Sequence, residues 1–299
     1  MVLASGRLSG SDPALLLVAP EVVGEGRRAR RLSALFWISL AWIALVAIVA
    51  IFANLLPLDS PTAIGSAAPG LGPSWSHWLG TDELGRDLLS RVVFGARVSL
   101  VVGVASTALG LVLGGTLGLV AGYLGGVVDV VISGAMNVLL AFPSLILALA
   151  IVTFTQPTLW HVTIAIGIFT VAPLARVVRA NTIGFAGRDF VQAAQVLGMK
   201  RRRIVFREIV PNVMPTALAL ALVTVPAAIL AEGALSFLGL SIRPPTPSWG
   251  NMISEGRDVL AKYPLIALWP CLGMLLTVLA LNFIGDEVRQ LVDLREGGL

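Results

Sequence analysis

Apolar positions run along this chain in long blocks, broken by short polar stretches. A helix needs roughly 20 apolar residues to cross the hydrocarbon layer of a bilayer. Six blocks come near that length, at positions 34–56, 98–122, 127–154, 162–178, 213–237 and 265–284. The pattern predicts an all-α integral membrane protein with about six transmembrane helices. The run from Ala34 is too long for a signal-peptide core, and no small-residue cleavage site accompanies it, so it reads as an uncleaved first span.

The polar stretches predict smaller elements. In 57–97, Trp75, Trp78 and Leu79 suit a membrane interface. Thr81 or Asp82 can then cap an amphipathic helix whose apolar residues are Leu84, Leu88, Leu89, Val92 and Val93. That helix is expected on the outer surface, with Asp82, Arg86 and Asp87 pairing locally at little energetic value. In 188–212, good helix formers from Gln192 to Leu197 predict a short helix that Gly198 ends in a left-handed conformation. Ala193 and Ala194 leave a low surface over which another protein's groove could close, and Pro211 is expected to stop the polar helix. In 243–250, Pro244, Pro245 and Pro247 stiffen a loop that Trp249 anchors at the outer interface.

Composition agrees with a membrane protein. Hydrophobic residues make up 57%, charged residues 13%, and mean hydropathy is +0.90. The net charge is only +4, so the placement of charge matters more than its sum. Of the 21 Lys and Arg, 15 fall in the N-terminal tail, in 176–207 and after the last span. Positive loops stay inside, so both termini and the 188–212 loop are expected on the cytoplasmic face of the plasma membrane. The basic residues flank spans and form no soluble basic face, which argues against nucleic-acid binding. Cys271 is the only cysteine, so no internal disulfide or cysteine-based metal site can form. His77 and His161 read as isolated interfacial residues, and no metal is expected. The chain divides into a 1–33 tail, a 34–97 first span with its outer loop, a 98–285 core of five helices carrying the 181–212 loop, and a 286–299 tail begun where Gly285 ends the last helix.

Several residues inside the spans could carry function. Gly110, Gly114 and Gly118 lie with Ser106 and Gly122 on one helical face, which fits either a sliding interface beside a pathway or close static packing. Pro143 can kink the third span. Asn137 and Asp129 share that span, and Asp129 reads as interfacial. Glu232 is an acid well inside an apolar run; such a group faces either a cavity or a hydrogen-bonding partner, here a neighbouring subunit.

These stretches carry a resemblance. Gln192-Ala193-Ala194, then Gly198, then Ile209-Val210-Pro211 resembles the EAA loop of ABC-importer permeases. Leu79-Gly80-Thr81-Asp82, Gly85-Arg86-Asp87, the stretches 235–240 and 244–250, and Asn282 to Arg289 resemble the C-type permeases of dipeptide and oligopeptide importers. Gln192 stands where that family usually has Glu, and Glu208 near where many members carry His. Ser133, Gly134 and Asn137 replace a Met-Arg pair and a later Asp, so an ion pair of relatives is expected to be missing. The resemblance implies a type I (MetI-like) permease fold and one half of a transport pathway. It implies a homologous second permease, two cytoplasmic ATPase subunits that hold ATP and Mg, and an external substrate-binding protein. Gln192, Ala193, Ala194, Leu197, Gly198 and Pro211 would couple to an ATPase, while Asp82, Arg86, Asp87, Pro245 and Trp249 would receive the binding protein. Relatives of this type carry dipeptides, oligopeptides, glutathione or nickel complexes.

No catalytic apparatus competes with this reading. A phosphate-binding loop needs Lys followed by Ser or Thr, and Lys200 and Lys262 precede Arg201 and Tyr263. His-Glu-x-x-His and Gly-x-Ser-x-Gly are absent, and the outer acids Asp82, Asp87 and Glu255 lack paired histidines. A stand-alone channel or secondary transporter would rest on Glu232 and Pro143 alone. An intramembrane enzyme would have to turn over a substrate unaided.

Overall fold

The computed structural model describes residues 33–296, with side chains to residue 292. The N-terminal tail and its arginine cluster fall outside the described residues, apart from Ser33. The described chain is helical, with a single isolated bridge between Thr81 and Asp87. Five helices are long and apolar enough to cross a membrane: α1 (Ala34–Ile51), α2 (Leu88–Leu124), α5 (Leu159–Ala186), α8 (Val210–Phe237) with the turns leading into it, and α10 (Leu265–Glu296). A sixth crossing is broken into α3 (Gly126–Ala141) and α4 (Ser144–Phe154), which meet at 86°. Three short helices remain: α6 (Asp189–Val196), α7 (Arg201–Ile204) and α9 (Trp249–Arg257).

Packing orders the crossings. Ala50 near the end of α1 shares a core with Trp249, while Val213 at the start of α8 shares one with Val191 and Ala194 of α6. Ile266 of α10 packs with Leu88 and Met252. The start of α1 and the end of α10 therefore lie with α6, and α9 marks the opposite end.

The glycine stripe explains the centre of the fold. A Cβ at Gly114 would sit 2.4 Å from the Val171 carbonyl oxygen, and one at Gly118 2.3 Å from that of Ala175. At Gly110 it would meet the Thr170 hydroxyl at 2.0 Å. Backbone thus lies against backbone between α2 and α5 of the same chain, which is the close-packing alternative. Gly115, one residue off the stripe, has open space around it. Gly114→Val should lower stability by about 3 kcal/mol, because overpacking against a backbone cannot relax by rotamer change. Gly115→Ala should lose nothing, and thermal unfolding in detergent separates the two.

Several expected boundaries move. Leu88 begins α2 directly, so no separate amphipathic helix forms: Asp87, and neither Thr81 nor Asp82, is the cap, accepting from Ser90 N–H at 2.8 Å. Gly85 at φ +69° bends the preceding turn, and Asp82 Oδ1 accepts from the Leu84 and Arg86 amides. Pro143 breaks the third span outright and becomes the N-cap of α4, since its ring removes a donor and crowds the preceding turn. Pro211 stops nothing. Val205–Ile209 forms a π-turn in which Val210 N–H bonds the Val205 carbonyl, and the widened turn feeds Pro211 into the first turn of α8. Gly285 does not end the last helix; its missing side chain admits Val223, 2.8 Å from where a Cβ would be, and α10 continues to Glu296.

Candidate functional site

Two places on the molecule gather the singled-out residues, one at each end. The first is α6. Asp189 in its first turn complements the helix dipole, and Arg188, the N-cap, lays its guanidinium over the Phe185 ring at 4.8 Å. Gly198 at φ +73° closes a Schellman motif: its N–H bonds Gln195 O at 2.9 Å and Met199 N–H bonds Ala194 O at 3.1 Å. Gln192 Nε2 donates to Gly187 O at 3.0 Å, tying the exposed side chain back to the end of α5.

The two alanines differ. Ala194 is buried with Val191 against Ile204, Ile209 and Val213, so it holds α6 to α7 and α8 and offers no surface to a partner. Ala193 and Gln192 are exposed. Sequence reasoning missed Val196, which is 88% exposed beside Leu197 at 81%. Two adjacent apolar side chains that nearly escape their own protein form a knob at the helix end; the step from the buried 191/194 face was the signal for it. An open cleft lined by Phe185, Arg188, Asp189, Phe190, Glu208 and Asn212 flanks the other end of α6.

The α6 end also holds the charges of the broken span. Arg179 binds Asp129 through Nε and, at 2.5 Å, through Nη2, and Ser133 donates to the same carboxylate at 3.0 Å. Asp129 is therefore no bare interfacial group, and an ion pair joins α3 to α5 after all. Asn137, exposed, accepts from Arg176 Nη2 at 3.0 Å. These groups border a cavity of about 280 Å³ between α2, α3 and α5.

The second place is at the α9 end. Arg91, 1% exposed, donates to Glu255 at 2.8 Å and lies 3.4 Å from Asp82. Arg86 binds Asp82 at 2.5 Å and Glu255 at 3.2 Å. The expected surface cluster is thus a sunken network, and it ties the start of α2 to α9. His77 Nδ1 lies 3.0 Å from Asp87 Oδ1, so neither His77 nor the acid is isolated. With Asp59 they place donor atoms within 4.8 Å of one another, the one such group among the described residues. Asp87 is meanwhile occupied by His77 and the α2 cap.

Glu232 lies in the same region and is 0% exposed. Ser236, Ser241 and Ser248 hydroxyls donate to Oε1 at 2.8–2.9 Å, and Ser99 to Oε2 at 3.4 Å. It therefore faces its own chain, neither a pathway nor a neighbouring subunit. Ser248 also caps α9 in a capping box with Asn251, so the carboxylate fixes where α9 begins. Trp249 is 2% exposed and no interfacial anchor: its ring lies against Gly95 and Gly273, and Nε1 donates to Val92 O at 3.0 Å. Pro245 is exposed, at the tip of the preceding loop.

Comparison with known proteins joins these features. Residues 114–297 match the family described as binding-protein-dependent transport system inner membrane component. The dipeptide transport system permease protein DppC of Alkalihalophilus pseudofirmus is 41% identical over 82% of this chain and 81% of its own. The glutathione transport system permease protein GsiD of Escherichia coli is 37% identical, over 84% of each. Among solved structures, an inward-facing MetNI methionine ABC transporter superposes with a TM-score of 0.56 at 18% identity, over 69% of this chain and 96% of the other. That last likeness establishes a shared MetI-like fold, and the expected ABC-permease architecture holds. This multi-pass membrane chain belongs to the binding-protein-dependent transport system inner membrane component family.

Proposed function

We propose that the chain is a permease subunit of an ATP-driven importer for short peptides, coupled to separate ATPase subunits through α6. The observation that carries this is the exposed, Schellman-capped helix with Val196 and Leu197 at its tip, tied at both ends to membrane-crossing helices. ATPase subunits closing on ATP and Mg would displace α6. Its buried face on Val213 and Ile209 would pass that motion to α8, and the glycine contacts would carry α5 and α2 as one body. A homologous second permease would complete the pathway. On this reading the α6 end is cytoplasmic, and the loop at Pro245 and the α9 end face an external binding protein. The peptide substrate is supported by the named activities of the relatives at 41% and 37% identity. Because one relative is a glutathione permease, γ-linked tripeptides are the second reading.

The test is reconstitution of the chain with its companion permease, ATPases and binding protein in proteoliposomes. A labelled dipeptide should accumulate only with ATP, and glutathione should compete weakly. Solute flux through the chain alone, indifferent to ATP, would overturn the assignment.

A further inference from the structure

Between α2 and α8, near the α6 end and with Val178 of α5 behind it, lies a groove of about 320 Å³. Leu111 and Leu119 form one wall, Phe206, Val213 and Ala217 the other, and Gly115 lies at the floor. Thr116 also borders it, but its hydroxyl is spent on its own helix, donating to Val112 O and Leu113 O at 2.8 and 2.9 Å. The groove therefore offers no free side-chain donor to a polar occupant. It is open at its floor, since a Cβ on Gly115 would meet nothing within 4 Å.

Its mouth is of opposite character. Phe206 is 63% exposed, and Arg202 one turn earlier lies over its ring at 5.9 Å. Arg203 and Arg207 are exposed beside it. Among the described residues none of these three arginines makes an ion pair. An apolar slot of the membrane region thus ends, within one helical turn, at unpaired guanidinium groups. Basic pockets between membrane helices at the cytoplasmic surface favour anionic headgroups, and guanidinium matches phosphate geometry.

We propose that this groove binds one anionic phospholipid, an acyl chain lying over Gly115 between Leu111 and Val213, the phosphate held by Arg202 and Arg203. A zwitterionic lipid would bring a cation to a surface already positive, and a water-soluble anion would leave the apolar walls uncovered. The assignment rests on the chain being a membrane protein and is independent of what it transports.

Native mass spectrometry of the delipidated full chain tests it, with dioleoylphosphatidylglycerol, dioleoylphosphatidylcholine and glycerophosphoglycerol as probes. Phosphatidylglycerol should be retained over phosphatidylcholine, and glycerophosphoglycerol, which has no tails, should not bind. Arg202→Gln/Arg203→Gln should weaken phosphatidylglycerol retention roughly 30-fold, removing the preference. Arg202→Lys/Arg203→Lys, which keeps the charge and loses the fork, should retain the preference for phosphatidylglycerol with weaker binding, and an unchanged melting temperature of the glutamine variant shows that the altered segment still folds. Gly115→Leu, which fills the floor without touching charge, should weaken both lipids. Equal retention of the two lipids by the unaltered chain would overturn the proposal. So would undiminished phosphatidylglycerol on the glutamine variant, tight binding of glycerophosphoglycerol, or a companion permease subunit that displaces the lipid.

Discussion

Val196→Asp/Leu197→Asp should abolish peptide-stimulated ATP hydrolysis in the assembled transporter while membrane insertion and yield stay unchanged. The two side chains are 88% and 81% exposed, so little in their own chain depends on them. Substitutions at such sites usually move stability by no more than about 0.5 kcal/mol. Burying an aliphatic side chain of this size is worth about 1.5–3 kcal/mol. Two such losses weaken docking by about 3–6 kcal/mol, a factor of roughly 150 to 20,000, before adding the desolvation of the new carboxylates. Gly198→Trp should also uncouple, by a different route: at φ +73° a side chain is strained, and the cap of α6 would fray. Retained stimulation in the aspartate pair would mean that the ATPase contacts some other surface.

The second large effect concerns Arg91. Its guanidinium is buried between Glu255 and Asp82, and Arg91→Ala would leave their carboxylates short of a cation. Breaking a buried ion pair by removing one partner costs about 3–5 kcal/mol. The variant should therefore unfold at markedly lower temperature in detergent, with α9 the first segment to exchange its amide hydrogens. Arg91→Lys should recover only part, since an ammonium cannot reproduce the donor geometry of the fork. An unchanged melting temperature for Arg91→Ala would show that Arg86 holds Glu255 unaided.

The crossings could be read from the chain because lipid imposes a length on apolar runs that no tertiary contact rewrites. The α6 helix and its left-handed Gly198 were legible for a similar reason: both are local. What stayed hidden depends on distant partners. Nothing near Glu232 in sequence announces that Ser99 and Ser248 will meet it, and nothing near Asp129 announces Arg179. Trp249 read as an anchor because tryptophan favours interfaces, yet two glycines from α2 and α10 make a slot that fits it. The departures at Ser133, Gly134 and Asn137 suggested a missing ion pair, but the position of Asp129, one turn earlier, supplies the acid. Helix periodicity could not separate Ala193 from Ala194 either, because the inward face of so short a helix is set by where α7 and α8 come to lie.

The right-angled break at Phe142 and Pro143 carries a demand of its own. The last carbonyls of α3 have no helical amide ahead of them, and Pro143 contributes none. Phe142 and Pro143 are exposed on this chain. Hydrocarbon cannot solvate bare peptide oxygens, and irregular backbone at that depth survives only against protein or water. Wherever that corner meets hydrocarbon, its own peptide chemistry requires a wet lumen or a second wall, and oil alone will not serve.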